Sequence, residues 1–250
     1  GFVIFRKEGR RSVLTPAGRV LLEQGRELLI ATQAMINNAH QVDSGWEISL
    51  NIALDTVWET KRFLPILAEF QQLNTGVEIN LLEEVMGGSL EALIEDRADL
   101  VLGGPPPTSS IQGVHFKAVM QSQWCFVTAI NHPLTQASLP LTNEMITPYT
   151  SIVIKDSSRH SAIKSHRLMD KQKQIKVASM QQKISLIAAG IGVGVLPKHK
   201  IQDKLDEGTL VVLETSEPRA ITPQYCSWKI NNKGKAARWF IDKILADSKR

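Results

Sequence analysis

Cysteine is scarce: Cys125 and Cys226 are the only two in 250 residues. Two distant thiols make neither a disulfide framework nor a metal-ligand spacing, and they read as reduced, structural residues of a cytoplasmic protein. Long apolar runs are also lacking. The most apolar stretch, Leu186 to Pro197, is rich in glycine and falls short of the roughly 20 residues that span a bilayer, so no membrane span is expected. There is no basic-then-apolar leader, and the chain starts at Gly1 without Met, which reads as a truncated N-terminus rather than a processed one. No internal repeat is found, and low complexity is confined to Pro105, Pro106 and Pro107. What remains is ordinary: 43% hydrophobic and 22% charged, near the average for folded soluble proteins. The length suits one large domain or two modest ones with a core of their own.

Catalytic signatures are missing as well. No G-x-S-x-G, Walker A or H-E-x-x-H occurs, so acyl transfer, nucleotide hydrolysis and zinc proteolysis have no support. The histidines at 40, 115, 132, 160, 166 and 199 show no H-x-x-H or H-x-x-x-H spacing, and no cysteine stands at ligand distance from them, so neither a metal nor another cofactor is expected. Ser161-Ala162-Ile163-Lys164 matches S-x-x-K, but S-D-N and K-T-G do not accompany it, and a chance match is the better reading. Gly190-Ile191-Gly192-Val193-Gly194 follows a helix and precedes a strand, the reverse of a dinucleotide loop, so these glycines should cap that helix and permit close backbone approach. Glu83 and Glu84 are strand neighbours that face opposite sides, a poor acid/base pair. Enzymatic function is therefore not expected.

Charge is segregated along the chain. Residues 46–120 carry four Lys/Arg against eleven Asp/Glu, whereas residues 155–183 carry eight against two and 221–250 seven against two. Opposed fields on separate lobes follow, and any contact with DNA should lie near the N-terminus.

The first 14 residues, with Phe2, Phe5, Arg6, Lys7, Arg10 and Arg11 around Gly9, read as a hairpin. Thr15-Pro16 supplies a helix N-cap followed by Pro at the first helical position. A heptad then runs through Leu14, Leu21, Leu28, Met35 and Val42, beside the small row Gly18, Gly25, Thr32 and Ala39, which predicts a long helix that pairs with another subunit. Near Trp46 the period switches to strand alternation. Strand, helix, strand, helix, strand at about 48–54, 60–74, 77–83, 89–96 and 99–102 predicts α/β with a parallel sheet. A second α/β set follows up to Leu213, and a final strand (224–230) and helix (234–245) return to the first lobe. The expected architecture has two lobes and a cleft. Open α/β sheets receive ligands at the carboxyl ends of their strands, here the loops at Asp55-Thr56-Val57-Trp58, Val85 to Ser89 and Gly103-Gly104. Ser89 is expected to cap its helix, and Lys155 to Arg159 is the matching loop of the basic lobe.

Phe5-Arg6-Lys7-Glu8-Gly9-Arg10-Arg11-Ser12-Val13-Leu14-Thr15-Pro16-Ala17-Gly18 is similar to the wing and the start of the linker helix of LysR-type transcriptional regulators. The resemblance continues, in the family's order, through Phe63-Leu64-Pro65-Ile66-Leu67-Ala68-Glu69-Phe70, Leu93-Ile94-Glu95-Asp96-Arg97-Ala98-Asp99-Leu100, His132-Pro133-Leu134 and Ala188 to Pro197, and covers essentially the whole chain. It implies a cytoplasmic regulator that binds promoter DNA through a winged helix-turn-helix, of which residues 1–14 would be the remaining wing. A dimerising linker helix would follow at 15–45. A two-lobed effector-binding domain like type 2 periplasmic binding proteins would come next, with lobe 1 at 46–120 and 221–250 and lobe 2 at 121–220. Partners would be a small-molecule effector and further copies of the chain, as homodimer or homotetramer. Carried over residue by residue, the cleft would be lined by Asp55, Thr56, Gly87, Ser89, Gly103, Trp124, Lys155 and Met180, and Arg6, Lys7, Arg10 and Arg11 could touch DNA phosphate without reading sequence. Acidic residues around Asp55, Glu83 and Glu84 make a purely anionic effector less fitting. The alternative, a periplasmic-type solute-binding protein, would use the same lobes but needs a secretion signal and has no use for a wing and a heptad.

Overall fold

The computed structural model describes residues 1–8, 11–104, 111–160, 172–217, 219–232 and 234–248. The chain divides into two compact units, Gly1–Ile48 with Thr75–Val77, and Ser49–Asn74 with Glu78–Arg250. Gly9, Arg10, the triple proline and the Ser161 to Lys164 motif lie outside the described residues. Among the described residues, no helix is long and apolar enough to cross a membrane.

In the first unit, β1 (Phe5–Glu8) pairs antiparallel with β2 (Arg11–Leu14), so that Arg6 faces Val13 and Glu8 faces Arg11. Thr15 then caps α1 (Pro16–Asp43): its side chain accepts the Gly18 N–H at 2.9 Å and donates to the Val3 carbonyl at 2.6 Å. At 1.5 Å per residue, 28 residues give a rod of about 42 Å. Among the described residues its apolar stripe is exposed: Leu21, Leu28 and Met35 are 44%, 68% and 66% accessible. Gly18 has an explanation other than a partner helix, because a Cβ there would fall 2.1 Å from the Ile4 carbonyl oxygen of the same chain, whereas one on Gly25 would meet nothing within 4 Å.

The second unit begins with β3 (Ser49–Asp55), α2 (Thr60–Gln72), β4 (Glu78–Glu84), α3 (Gly87–Ile94), β5 (Leu100–Gly104) and β6 (Val114–Ser122). A crossover at Gln123 leads into the second lobe: β7 (Trp124–Ala129), a 3₁₀ turn (Pro133–Gln136), α4 (Asn143–Ile146), β8 (Ser151–Ile154), β9 (Gln174–Val177), α5 (Met180–Ala188), β10 (Gly194–Pro197), α6 (Lys198–Asp206) and β11 (Leu210–Val212). β12 (Thr222–Lys229) and α7 (Lys235–Asp247) return to the first lobe, completing a sheet of order β4-β3-β5-β12-β6. β3, β4 and β5 are parallel as expected, while β12 is antiparallel to both neighbours because it enters from the other lobe. In the second lobe β10 and β11 flank β7 antiparallel, and β8 pairs parallel with β9.

Each lobe owns a core. Phe63 and Phe70 of α2 meet Phe240 of α7 with ring centroids 5.7 and 4.7 Å apart, all three at 2% exposure or less. In the second lobe Val127, Ile152, Ile187, Leu196 and Ile201 are fully buried. Gly190 closes α5 at φ +73, with its N–H on the Ile187 carbonyl and that of Ile191 on Leu186. The β3 to β4 edge contributes to this second core: Val85 belongs to it, and Val57 and Met86 pack against it. The two lobes therefore touch through apolar side chains at the strand ends. Both cysteines are buried and free, and burial pushes both thiols up from their ordinary values.

Candidate functional site

The parallel strands β3 and β4 stop side by side, with Asp55 opposite Glu84. The chain after each stop must turn, and the freed backbone N–H groups need acceptors. Asp55 supplies them. Its Oδ1 accepts from the Val57 N–H at 3.0 Å, and its Oδ2 accepts from the Met86 N–H at 3.0 Å and the Ser89 hydroxyl at 2.8 Å. The carboxyl group is 3% exposed, and burial pushes its pKa up to about 6 against the pull of these donors and of Lys200. Met86 takes φ 51 and ψ −112, a conformation that costs a non-glycine residue about 1–3 kcal/mol and persists only where its surroundings hold it. Ser89 does not cap α3 as expected. The helix starts two residues earlier, at Gly87, and from the first turn Ser89 spends its hydroxyl on Asp55.

Across from this edge runs residues 155–160 of the second lobe. The Ser157 hydroxyl oxygen accepts the Val85 N–H at 2.9 Å and donates to Glu84, and Glu84 also holds Arg97. Asp156 Oδ1 accepts the Gly88 N–H at 3.3 Å. In return Glu91 of α3 accepts the backbone N–H groups of Arg159 and His160. Lys155 and Arg159, the cations of the basic loop, have exposed side chains; carboxylate, hydroxyl and backbone groups make the contact instead. The nearer cation is Lys200 of α6, whose Nζ donates to the Trp58 carbonyl. Burial holds the Lys200 ammonium below its usual range, against the pull of Glu59, Glu83 and Asp55. His199 Nε2 reaches the Val57 carbonyl at 2.9 Å.

Two cavities open at this junction. One, of about 410 Å³, has Thr56, Trp58, Leu82 and Glu83 on the first lobe and Met180, Ile184 and Lys200 on the second. The other, of about 450 Å³, is lined by Glu83, Val85, Lys155, Ser158 and Ser179, among others. Among the described residues the Trp58 Nε1–H is buried without an acceptor.

The sequence-derived residues thus separate. Asp55, Thr56 and Met180 line the first cavity and Lys155 the second. Gly87 lies under Asp156, Ser89 is fully buried on Asp55, and Gly103, at φ +85, lets Trp58 close in, since a Cβ there would come 2.8 Å from the Trp58 Cβ. Trp124 stands at the crossover, its indole N–H on Thr222 at 2.7 Å. Lys200 and Glu91 were not singled out by sequence, and Asp156 and Ser157 entered only as members of the loop at 155–159. Lys200 could have been, since it lies in the first turn of the helix directly after β10, near a strand end. Histidine spacing gave no metal site, yet the fold brings His160 Nδ1 to 2.9 Å from Glu95 and 3.6 Å from Glu91. Glu95 is shared with Arg97 at 3.0 Å, and that guanidinium holds its carboxyl below the usual range.

In the N-terminal hairpin, Arg6 is paired with Glu8 at 2.7 Å, and Arg6, Lys7 and Arg11 are exposed.

A match to the LysR substrate binding domain spans residues 43–248. The chain is 32% identical over 244 residues to YeeY, an HTH-type transcriptional regulator of Escherichia coli K12, covering 97% of this chain and 78% of that protein. It is 27% identical over 245 residues to the E. coli K12 regulator PunR, covering 98% and 79%. In structure it is similar to the effector-binding domain of QuiR solved with shikimate, at TM-score 0.60 and 14% identity over 80% of this chain and 97% of that one. It is also similar to CrgA, a LysR-type regulator of Neisseria meningitidis, at TM-score 0.60 and 14% identity over 100% and 85%. Fold, chain order and sequence agree, and the chain belongs to the LysR-type transcriptional regulators, with their two-lobed effector-binding domain.

Proposed function

We propose that the cleft between the lobes takes up a small-molecule effector, and that the ligand's differential affinity for one arrangement of the lobes is the signal passed to promoter DNA. The observation that carries this reading is the cavity of about 410 Å³, walled from both lobes at the carboxyl ends of parallel strands. That is where open α/β sheets bind ligands. Thr56 and Met180 would face the effector and Lys155 the adjoining cavity, Asp55, Gly87, Ser89 and Gly103 would shape the wall, and Trp124 would tie the crossover strands. Residues 1–14 would be a wing, with Arg6, Lys7, Arg10 and Arg11 on phosphate, and α1 would carry the contact between copies. The protein would act in the cytoplasm and catalyse nothing. Hydrogen exchange of the purified protein with and without a molecule identified by native mass spectrometry tests the site. Protection at the ends of β3 and β4 and the start of α5 is expected; protection confined elsewhere would reject the cleft.

A further inference from the structure

We propose that Asp156 is a built-in anion that fills the N-terminus of α3, and that the effector of this regulator is therefore an uncharged or cationic molecule rather than a carboxylate. This rests on the reading of the cleft as the effector site. Backbone N–H groups opening a helix, with the partial positive charge of its dipole, form a ready seat for an anion. Here Gly87 and Gly88 open α3. The group lying on them belongs to the other lobe. Both Asp156 carboxylate oxygens sit 3.1–3.3 Å from where a Gly87 Cβ would be, and Oδ1 accepts at 2.9 Å from the Ser158 N–H and at 3.3 Å from the Gly88 N–H, which it shares with the Val85 carbonyl at 3.0 Å. Beside it the Ser157 hydroxyl presses onto Gly88 so closely that a Cβ there would fall 1.9 Å from its oxygen. Asp156 is 3% exposed, so a free anion reaches these N–H groups only after the 155–159 loop has left.

The smaller cavity argues the same way. Glu83 and Asp55 line it, while Lys155 and Arg159 border the other cavity on the far side of Glu83. Lys200, the cation there, already donates to the Trp58 carbonyl and is drawn by Glu59, Glu83 and Asp55. A ligand carboxylate would be desolvated beside two acids with a cation that is already engaged, which is costly. What the cavity offers is apolar wall from Leu54, Leu82, Met180 and Ile184.

Sodium formate is the probe, against sodium chloride at equal ionic strength, with the amide resonances of Gly87 and Gly88 followed by NMR in the full chain. The wild type should show no saturable formate shift. Asp156→Ala, which empties the seat, should bind formate about tenfold more tightly or better, and Asp156→Asn, which keeps the shape and loses the charge, should respond to a lesser degree. Wild-type amides that shift as strongly as those of the variants, a result that needs no folded Ala variant, would overturn the proposal, as would variants that do not respond. Failure of the effector reading looks different. The cleft would then bind no small molecule, while the formate response of Asp156→Ala would stand. An effector that proves to be a carboxylate and shifts Gly88 in the wild type would keep the cleft and end this proposal.

Discussion

Helices α1 and α7 are both amphipathic, yet they use that property in opposite ways. In α7, 13 residues bury Ala236, Ala237, Phe240, Ile241 and Ile244. In α1, 28 residues bury only Gly18, and Leu28, Leu29 and Met35 remain 66–71% exposed. An apolar stripe of that length on the surface marks an interaction site, and its heptad spacing suits a second copy of itself. The stability of the two-lobed unit lies within the chain. On the proposed reading, that of α1 would come from a second copy.

Truncation separates the two cases. Phe240→Ala removes a ring packed on Phe63 and Phe70 and should cost about 3–5 kcal/mol, read by urea unfolding and independent of protein concentration. Leu28→Ala should leave unfolding of the dilute chain unchanged within about 0.5 kcal/mol, yet weaken self-association seen by sedimentation. If Leu28→Ala sediments as the wild type does, α1 is not the main contact between copies and the contrast fails.

A smaller effect sharpens the comparison inside the two-lobed unit, where Asp55 is buried without a full ionic partner. Its folded pKa of about 6 lies above the unfolded carboxylate value of 3.8. The folded state therefore holds the proton more tightly. The stability this adds is fully present below about pH 3.8 and is lost as pH rises through 6, by up to about 3 kcal/mol for a shift of roughly two units. Asp55→Asn does not titrate, so the stability difference between wild type and variant should move against the wild type from pH 4 to pH 7. A difference that is flat over that range would show that the three hydrogen bonds on Asp55 outweigh its burial. The N-terminal hairpin gives a weaker, screened counterpart. The four cations of its sequence, Arg6, Lys7, Arg10 and Arg11, stand against Glu8, so the salt slope of DNA binding should not exceed about −3.6, or roughly 150-fold between 50 and 200 mM salt. A steeper slope, or sequence preference, would place DNA contacts outside the hairpin.

Most elements could be read from the sequence because each carries a local signal. Thr15-Pro16 starts α1, alternation at Ile48 to Leu54 marks β3, and Gly190 closes α5. The direction of β12 could not be read, since strand alternation is the same either way and only the return from the second lobe sets it. Within the site, the strand-end rule led to Asp55 and Thr56. It could not show that Ser89 serves Asp55 instead of capping α3, because that depends on a contact 34 residues away. Nor could it show that Asp156, set in a loop read for its hydroxyls and cations, is one of the groups that cross the cleft.

The smallest expected effect falls on Thr56, where the inward-facing character of the two-lobed unit meets its ligand. Its backbone N–H is already satisfied by the Glu84 carbonyl at 3.0 Å. It does not cap α2, which starts at Thr60 behind Glu59. What is left for its side chain is the wall of the smaller cavity. Thr56→Val keeps the β-branch and the volume and removes one hydroxyl, so the fold should be unaffected. Affinity for the molecule recovered from the purified protein should fall by about 0.5–1.5 kcal/mol, and by more if a buried ligand group loses its only partner. Calorimetric titration of wild type and variant, with Glu23→Gln on exposed α1 as control, gives the answer. Equal affinities would mean that the effector is held from the Met180 and Lys200 side of the cavity, with Thr56 as wall alone.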